Sequence, residues 1–419
     1  MRQVHLDEWW ALGEETFLKL RLNSPPGGWF PAAQDLDWCI TKSNLHYADI
    51  FFSPRLKNIS ISISPLWAHH AIFLDAIPAI TSTISALPIS TLQNLRISPT
   101  ASWLDLKESF SSIVLHCGPS LTEFVSKIPL SDAAINHLIR LPHLRTCHIR
   151  GPPPNYSASS LPPVFPPLTE FAVEEDGVRE WVLLLERLAG HVTPLSKVKE
   201  SLRSLNLPSP TIDASFSSLI QSFRNMVSLK IEVVCRGRGS EAQCIFKLNN
   251  DDVTKLVMAL SQLESLLLGR PCSNNTCATT VACLLPISVH CAELQVLRIH
   301  FNTTKIVDDL KNISDDPRFQ DLHPLLRCML AHLDIHEMTL SLDEPDFETV
   351  AIGMISIFPF FEYFKGTEGN LDWEEISKRI MELQKIHVSW VSELLFLVRL
   401  LHSRITDGRI VSHICTYAR

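Results

Sequence analysis

One pattern of apolar positions recurs along the chain: an apolar residue, two others, Leu, two others, an apolar residue, one other, and a last apolar residue. Clear copies are Leu260–Leu268 and Cys291–Ile299, and looser copies occupy 141–149, 198–207 and 223–231. The alternation that ends each copy predicts a short strand with one buried face. We take the third apolar position as the anchor of each copy. The anchors are Leu36, Ile59, Leu95, Phe124, Cys147, Phe171, Leu205, Leu229, Leu266, Leu297, Leu333 and Phe364.

The stretches between anchors have the features of helices. Asn250 to Asp252 can cap a helix over Val253–Ala259, whose apolar residues recur at helical spacing. Ser131 and Asp132 begin a second helix in the same way. Thr279–Cys291 is predicted to hold a third helix, broken by Pro286. The repeating unit is therefore a short strand, a turn and a helix.

Twelve such units predict a repeat protein rather than a set of ordinary domains. The anchors lie 23 to 37 residues apart, with a mean of about 30, close to the length of leucine-rich repeats. The predicted fold is α/β: a leucine-rich-repeat solenoid, or horseshoe, with a concave parallel sheet and outer helices. The alternative is an ordinary α/β domain with chance matches to the pattern.

The predicted domains follow from where the pattern is strong. Residues 1–25 are interpreted as a helical lead-in or a truncated repeat. Residues 26–370 hold the solenoid of about twelve irregular repeats. Residues 371–419 are interpreted as a helical C-terminal cap or tail that covers the last apolar edge.

Composition narrows the class of protein. Hydrophobic residues make up 46% of the chain, which suffices for a large core. A net charge of −8 argues against a nucleic-acid binder that works through bulk positive charge. The eleven scattered Cys do not resemble a disulfide framework, and the N-terminus has no apolar signal segment. The most apolar run, Val388–Leu401, is short and contains Glu393 and Arg399, so no membrane span is expected. The predicted location is cytoplasmic or nuclear.

The sequence contains none of the catalytic or nucleotide-binding motifs with a known mechanism. It lacks G-x-S-x-G, G-x-x-x-x-G-K-[ST], H-E-x-x-H and G-x-G-x-x-G. We therefore expect no enzyme activity, no cofactor and no metal ligand. Cys277 and Cys283 do not have zinc-finger spacing and are expected to be buried as small apolar residues.

The concave face supplies the candidate binding residues. In a parallel, in-register sheet, the residues one and three positions after each anchor should point away from the core. Arg298 should then face Asp334, and Arg150 should face Glu174. The predicted partner-binding residues are Arg96, His148, Arg150, Glu174, Lys230, Glu232, Arg298, His300, His332, Asp334 and His336.

A histidine-rich patch is expected near the C-terminal end of this face. His332, Asp334 and His336 alternate along one strand, and His300 is predicted to join them from the previous strand. Such a set could bind Zn²⁺, make partner binding depend on pH, or serve only as a solvated recognition surface. Asn302 is predicted to cap a turn with its side-chain amide.

Three stretches resemble a known family. Ser111–Phe124, Leu260–Thr304 and Leu342–Pro359 are similar to the fungal F-box/leucine-rich-repeat proteins with ribonuclease-inhibitor-like repeats, and the resemblance covers about residues 25–370. It implies the substrate-receptor part of an SCF-type ubiquitin ligase, in which an F-box docks the adaptor and the repeats hold a protein substrate. No F-box is recognisable before Phe30, so the adaptor is an expected partner only if an F-box lies upstream. A stand-alone interaction protein stays open as the alternative.

Overall fold

The structure is a computed structural model. The residues that it describes are 3–5, 13–25, 29–41, 44, 47, 50–53, 55–63, 82, 91–99, 107–150, 168–174, 202–209, 217, 220–221, 223–233, 247–269, 277–315, 330–335, 342, 344–358, 363–365 and 371–385.

Within the described residues, thirteen parallel strands form one sheet, and each strand lies beside its neighbours in the sequence. None of these strands is inserted between two others, so they follow one another in chain order from one end of the sheet to the other. The strands are β1 (Gln3–His5), β2 (Asp35–Ile40), β3 (Asn58–Ile63), β4 (Asn94–Pro99), β5 (Glu123–Pro129), β6 (Thr146–Arg150), β7 (Glu170–Glu174), β8 (Ser204–Ser209), β9 (Ser228–Val233), β10 (Ser265–Leu268), β11 (Val296–Ile299), β12 (His332–Ile335) and β13 (Tyr363–Lys365).

The anchors predicted from the sequence all pair with one another across the sheet. Leu36 lies opposite Ile59, Leu229 lies opposite Leu266, and Leu333 lies opposite Phe364. The other anchors pair in the same way. The predicted register is therefore confirmed over β2 to β13, although the spacing between anchors varies by more than ten residues.

A repeated backbone contact holds this register at the entrance to each strand. The carbonyl oxygen two residues before an anchor accepts hydrogen bonds from two consecutive N–H groups of the next unit. The oxygen of Val227, for example, accepts from Glu264 at 2.8 Å and from Ser265 at 3.1 Å. The same arrangement occurs at each step from Gln34 to His332. Repeats of different length therefore begin their strands with the same pair of backbone hydrogen bonds.

Helices connect many of the strands. They are α1 (Glu14–Leu22), α2 (Lys107–Leu115), α3 (Asp132–Leu138), α4 (Asn250–Ala259), α5 (Leu284–His290), α6 (Ile306–Asp315), α7 (Glu344–Ile357) and α8 (371–385). A short 3₁₀ helix, Val281–Cys283, leads directly into α5.

Two predicted helix starts are confirmed, with small shifts. The Ser131 hydroxyl caps α3 by accepting from the N–H of Ala134, as expected. For α4 the capping residue is Asn249, one position before the predicted capping segment, and the helix begins at Asn250 rather than at Val253. Asn249 and Asp252 exchange side-chain and backbone bonds in a capping box, so the first turn has its donors satisfied from both directions.

The predicted break at Pro286 is wrong. Pro286 lies in the first turn of α5, where its missing N–H would have no helical acceptor in any case. The change of helix type occurs earlier, between Cys283 and Leu284, where the 3₁₀ helix passes into α5.

Strand and helix side chains share one hydrophobic core on one side of the sheet. The anchor and the residue two positions after it point into this core, as Leu266 and Leu268 do. The helices bury their apolar faces against the same residues and against each other, and α6 packs closely on α7. A Cβ atom on Gly353 of α7 would lie 3.0 Å from the Leu310 side chain of α6, so any larger residue there would require Leu310 to shift.

Near the two ends of the chain, the structure shows a strand that was not predicted and a helix that was. The lead-in is not only helical, because β1 pairs with β2 and places Val4 opposite the anchor Leu36. The sequence analysis missed this strand, which is three residues long and has no copy of the full pattern. Residues 371–385 are helical, and Trp373, Ile376 and Ile380 lie in the common core. The fold is thus α/β with an open, all-parallel sheet whose sequential order is compatible with a solenoid.

Two adjacent leucines offer a direct test of the register. Leu266 is fully buried, whereas Leu267 is half-buried and points to the other face. We expect Leu266→Ala to lower the free energy of unfolding by about 2–5 kcal/mol and Leu267→Ala to lower it by less than about 1 kcal/mol. Urea denaturation followed by circular dichroism measures both. Equal losses would contradict the register.

Candidate functional site

Two rows of side chains lie on the face of the sheet that points away from the core, which we call the open face. The first row comes one residue before each anchor and the second comes one residue after it, because side chains two positions apart share a face. Equivalent residues on neighbouring strands are about 4.8 Å apart. The first row is mostly polar: Asp35, Asn58, Asn94, Glu123, Thr146, Glu170, Ser204, Ser228, Ser265, Val296, His332 and Tyr363.

The first row begins with a chain of side-chain hydrogen bonds. The Thr122 hydroxyl donates to Asn94 Oδ1 at 3.1 Å, and Asn94 Nδ2 donates to Asn58 Oδ1 at 2.7 Å. Asn58 Nδ2 in turn donates to Asp35 Oδ1. Each amide is oriented by its neighbours, so the chain of bonds has one direction and ends on the Asp35 carboxylate.

A depression of about 510 Å³ lies over the strands that carry this chain of bonds. We call it the N-terminal depression. Its lining residues are Asp35, Leu36, Asp37, Asn58, Ile59, Ser60, Asn94, Arg96 and Glu123. Arg96, one of the predicted binding residues, donates from Nε to Glu123 Oε1 at 2.6 Å.

The centre of the open face holds two more of the predicted residues, His148 and Lys230. His148 Nε2 lies 2.8 Å from Glu170 Oε1, a bond between the second row of β6 and the first row of β7. Arg96 and Glu123 make the same diagonal contact two strands earlier. Lys230 lies in the second row on β9, half-buried, between Asn206 and Leu267.

For the predicted pair of Arg150 and Glu174, the structure confirms only that the two residues are backbone neighbours across the sheet. The two residues lie opposite each other on β6 and β7, and Arg150 Nη1 donates to the carbonyl of Lys127 at 3.4 Å. Glu232 lies on β9 opposite Pro208 of β8. The side chains of Glu174 and Glu232 lie outside the described residues.

Near the C-terminal end, the predicted pair of Arg298 and Asp334 is confirmed. Arg298 Nε lies 2.8 Å from Asp334 Oδ2, and the two side chains are 39% and 13% exposed. His332 precedes the anchor of β12, and its ring centroid lies 5.6 Å from that of Tyr363 on β13. Both rings are exposed on the open face beside the ion pair. We call Arg298, Asp334, His332 and Tyr363 the C-terminal cluster.

The predicted convergence of three histidines is wrong for His300. Its side chain is 1% exposed and is therefore not available at the surface. β11 ends at Ile299, and His300 and Phe301 are buried directly after it. The position three residues after the anchor thus lies beyond the end of this strand. His336 lies outside the described residues.

No described part of the chain favours metal or thiol chemistry. Among the described residues, no group of three or more His, Cys, Asp or Glu side chains is placed to hold a metal ion. Cys277 and Cys283 are buried as predicted. Burial raises the pKa of the Cys147 thiol to about 12 and raises the pKa of Cys283 still further. These thiols are therefore protonated and unreactive at neutral pH.

The predicted turn at Asn302 is confirmed. Asn302 Oδ1 accepts from the Thr304 N–H at 2.9 Å and from the Thr304 hydroxyl at 2.8 Å, so the side chain stabilises the turn after β11.

Of the first row, only His332 is among the residues predicted from the sequence. The other predictions used positions after the anchors, although the position before each anchor lies on the same face by the same two-residue period. The polar residues Asp35, Asn58 and Asn94 recur at that position and were the available signal. The hydrogen bonds among these side chains depend on which strands become neighbours, so the sequence pattern does not show them.

No family model matches the chain, and no curated protein matches it. In the part of the chain that the structure describes, no helix is long and apolar enough to cross a membrane.

A double-mutant cycle tests the ion pair of the C-terminal cluster. Arg298→Met and Asp334→Asn are combined, and we expect a coupling free energy of about 1 kcal/mol because Asp334 is largely shielded from water. The exposed pair of Lys19 and Glu15 on α1 is the matched control and should couple by no more than about 0.5 kcal/mol. Urea denaturation of the single and double variants measures both values. Equal coupling free energies for the two pairs would contradict the expectation that shielding from water strengthens the pair of Arg298 and Asp334.

Proposed function

We propose that this protein is a leucine-rich-repeat solenoid that recognises a partner protein through the open face of its sheet. The observation that carries the proposal is the pair of mostly polar rows, which run in register along β2 to β12 on the side away from the core. A regular array of oriented donors, acceptors and charges gives specificity to a protein interface. Stacked repeats present such extended surfaces.

The C-terminal cluster has the chemistry of an interface anchor. Tyr363 is 49% exposed, and it lies beside the exposed ring of His332. Arg298 is already oriented by Asp334, so less side-chain entropy is lost when it binds a partner. Tyr and Arg are enriched among the residues that contribute most to binding free energy.

The finer proposal is that the chain serves as the substrate-receptor part of an SCF-type ubiquitin ligase. The support is the resemblance of Ser111–Phe124, Leu260–Thr304 and Leu342–Pro359 to fungal F-box/leucine-rich-repeat proteins. In this role the chain supplies affinity and orientation, and catalysis belongs to the partner ligase. The second candidate is a recognition protein without any link to ubiquitin, which the open face supports equally well.

Photo-crosslinking tests recognition by the open face. p-Benzoylphenylalanine is placed at Lys230, in the second row of β9, or at Met258, which is exposed on α4. In cells, we expect the Lys230 probe to crosslink a protein that the Met258 probe does not, because the partner lies against the sheet. Equal crosslinking from the two positions, or crosslinking from Met258 alone, would contradict the proposal.

Adaptor binding separates the two candidates. The transcript is read upstream of Met1, and the chain is prepared with and without any in-frame extension. If the ligase role is right, we expect the extended chain to retain the purified SCF adaptor in a pull-down. Failure of both forms to retain the adaptor would end the ligase proposal and leave recognition by the open face standing.

A further inference from the structure

Two basic side chains in the second row of the open face contact carboxylates in the first row of the next strand. Arg96 of β4 donates to Glu123 of β5 at 2.6 Å, and His148 of β6 lies 2.8 Å from Glu170 of β7. Both contacts run diagonally across the register of their two strands. On this face, a second-row side chain therefore reaches a carboxylate that lies at the diagonal position on the following strand.

The second-row arginine of β11 has no carboxylate at this diagonal position. The diagonal neighbour of Arg298 on β12 is His332, and the carboxylate that Arg298 contacts belongs to Asp334, directly opposite it. Asp334 is bonded to Nε of the guanidinium. Among the described residues, no acceptor is bonded to either Nη atom of Arg298. The two Nη groups at the far end of the guanidinium therefore keep their N–H donors for a ligand.

The surroundings of Arg298 favour an anionic ligand. Arg298 is 39% exposed and Asp334 only 13%, so the ion pair presents mainly its cation to solvent. The ring N–H of His332 and the hydroxyl of Tyr363 are further donors beside it, on rings whose centroids lie 5.6 Å apart. In backbone register, Asp334 lies between Arg298 and Lys365 of β13, so one acidic position stands between two basic ones.

We propose that the C-terminal cluster binds the carboxylate of an aspartate or glutamate side chain from an acidic segment of the partner protein. The carboxylate lies over His332, at the diagonal position that Glu123 takes relative to Arg96. Its two oxygens accept from the two Nη groups of Arg298, a planar fork that matches a carboxylate. The rings of His332 and Tyr363 contact the methylene groups of the same acidic side chain. The proposal rests on recognition by the open face and names the chemistry of the partner at one end of it.

Peptide binding to the full chain tests this preference. Fluorescent hexa-glutamate is titrated in low salt and followed by anisotropy. Because the chain carries a net charge of −8, its overall charge does not attract this probe. His332→Glu places a carboxylate of the chain itself at the diagonal position, and we expect it to weaken hexa-glutamate binding about ten-fold. Arg298→Lys keeps the positive charge but removes the fork, and we expect it to weaken binding about three-fold.

Met258→Glu is the matched control, because Met258 is exposed on α4 and the variant gains the same charge as His332→Glu. It should leave the affinity for hexa-glutamate unchanged. Equal weakening by these two variants would mean general repulsion and would overturn the proposal. Absence of saturable binding, or binding that either His332→Glu or Arg298→Lys leaves unchanged, would also overturn it. A partner crosslinked from Lys230 whose capture ignores His332→Glu would leave the proposed function standing and reject only this inference.

Discussion

The rest of the structure depends on a single backbone contact, repeated at each entrance to the sheet. One carbonyl oxygen, such as that of Gln93, accepts from two successive N–H groups of the next unit. This contact places the next anchor directly opposite the last one. A slip of one residue would turn every side chain of a strand to the opposite face. The shared carbonyl therefore decides which residues are buried and which are available for binding.

Because the entrance geometry is constant, differences in repeat length leave the pairing of the strands unchanged. The units that end at Ile59 and Leu95 are 23 and 36 residues long, yet β2, β3 and β4 pair residue for residue. Close helix packing, as at Gly353 and Leu310, then fills the core behind the open face.

The open face has a regular spacing but an uneven distribution of charge. Around Asp35, a directed chain of neutral hydrogen bonds ends on a carboxylate, whereas around Arg298 an ion pair is balanced and flanked by aromatic rings. The two ends of the face therefore differ in chemistry: one carries a row of amides that ends on a carboxylate, and the other carries aromatic rings beside a paired arginine. Both ends use side chains that their neighbours already hold in place, which lowers the entropic cost of binding.

The sequence by itself determined the anchors, the strand register from β2 to β13 and the pairing of Arg298 with Asp334. These follow from a two-residue period and a fixed distance between strands, and both can be counted along the chain. Only the tertiary structure decided which side chains are buried just beyond the end of a strand and which side chains bond across strands. His300 lies just beyond the end of β11 and is buried, and the amides of Asn58 and Asn94 join across strands that lie 36 residues apart in the chain. The two-residue period predicts which face a side chain takes only within a strand, and side-chain hydrogen bonds depend on which strands become neighbours.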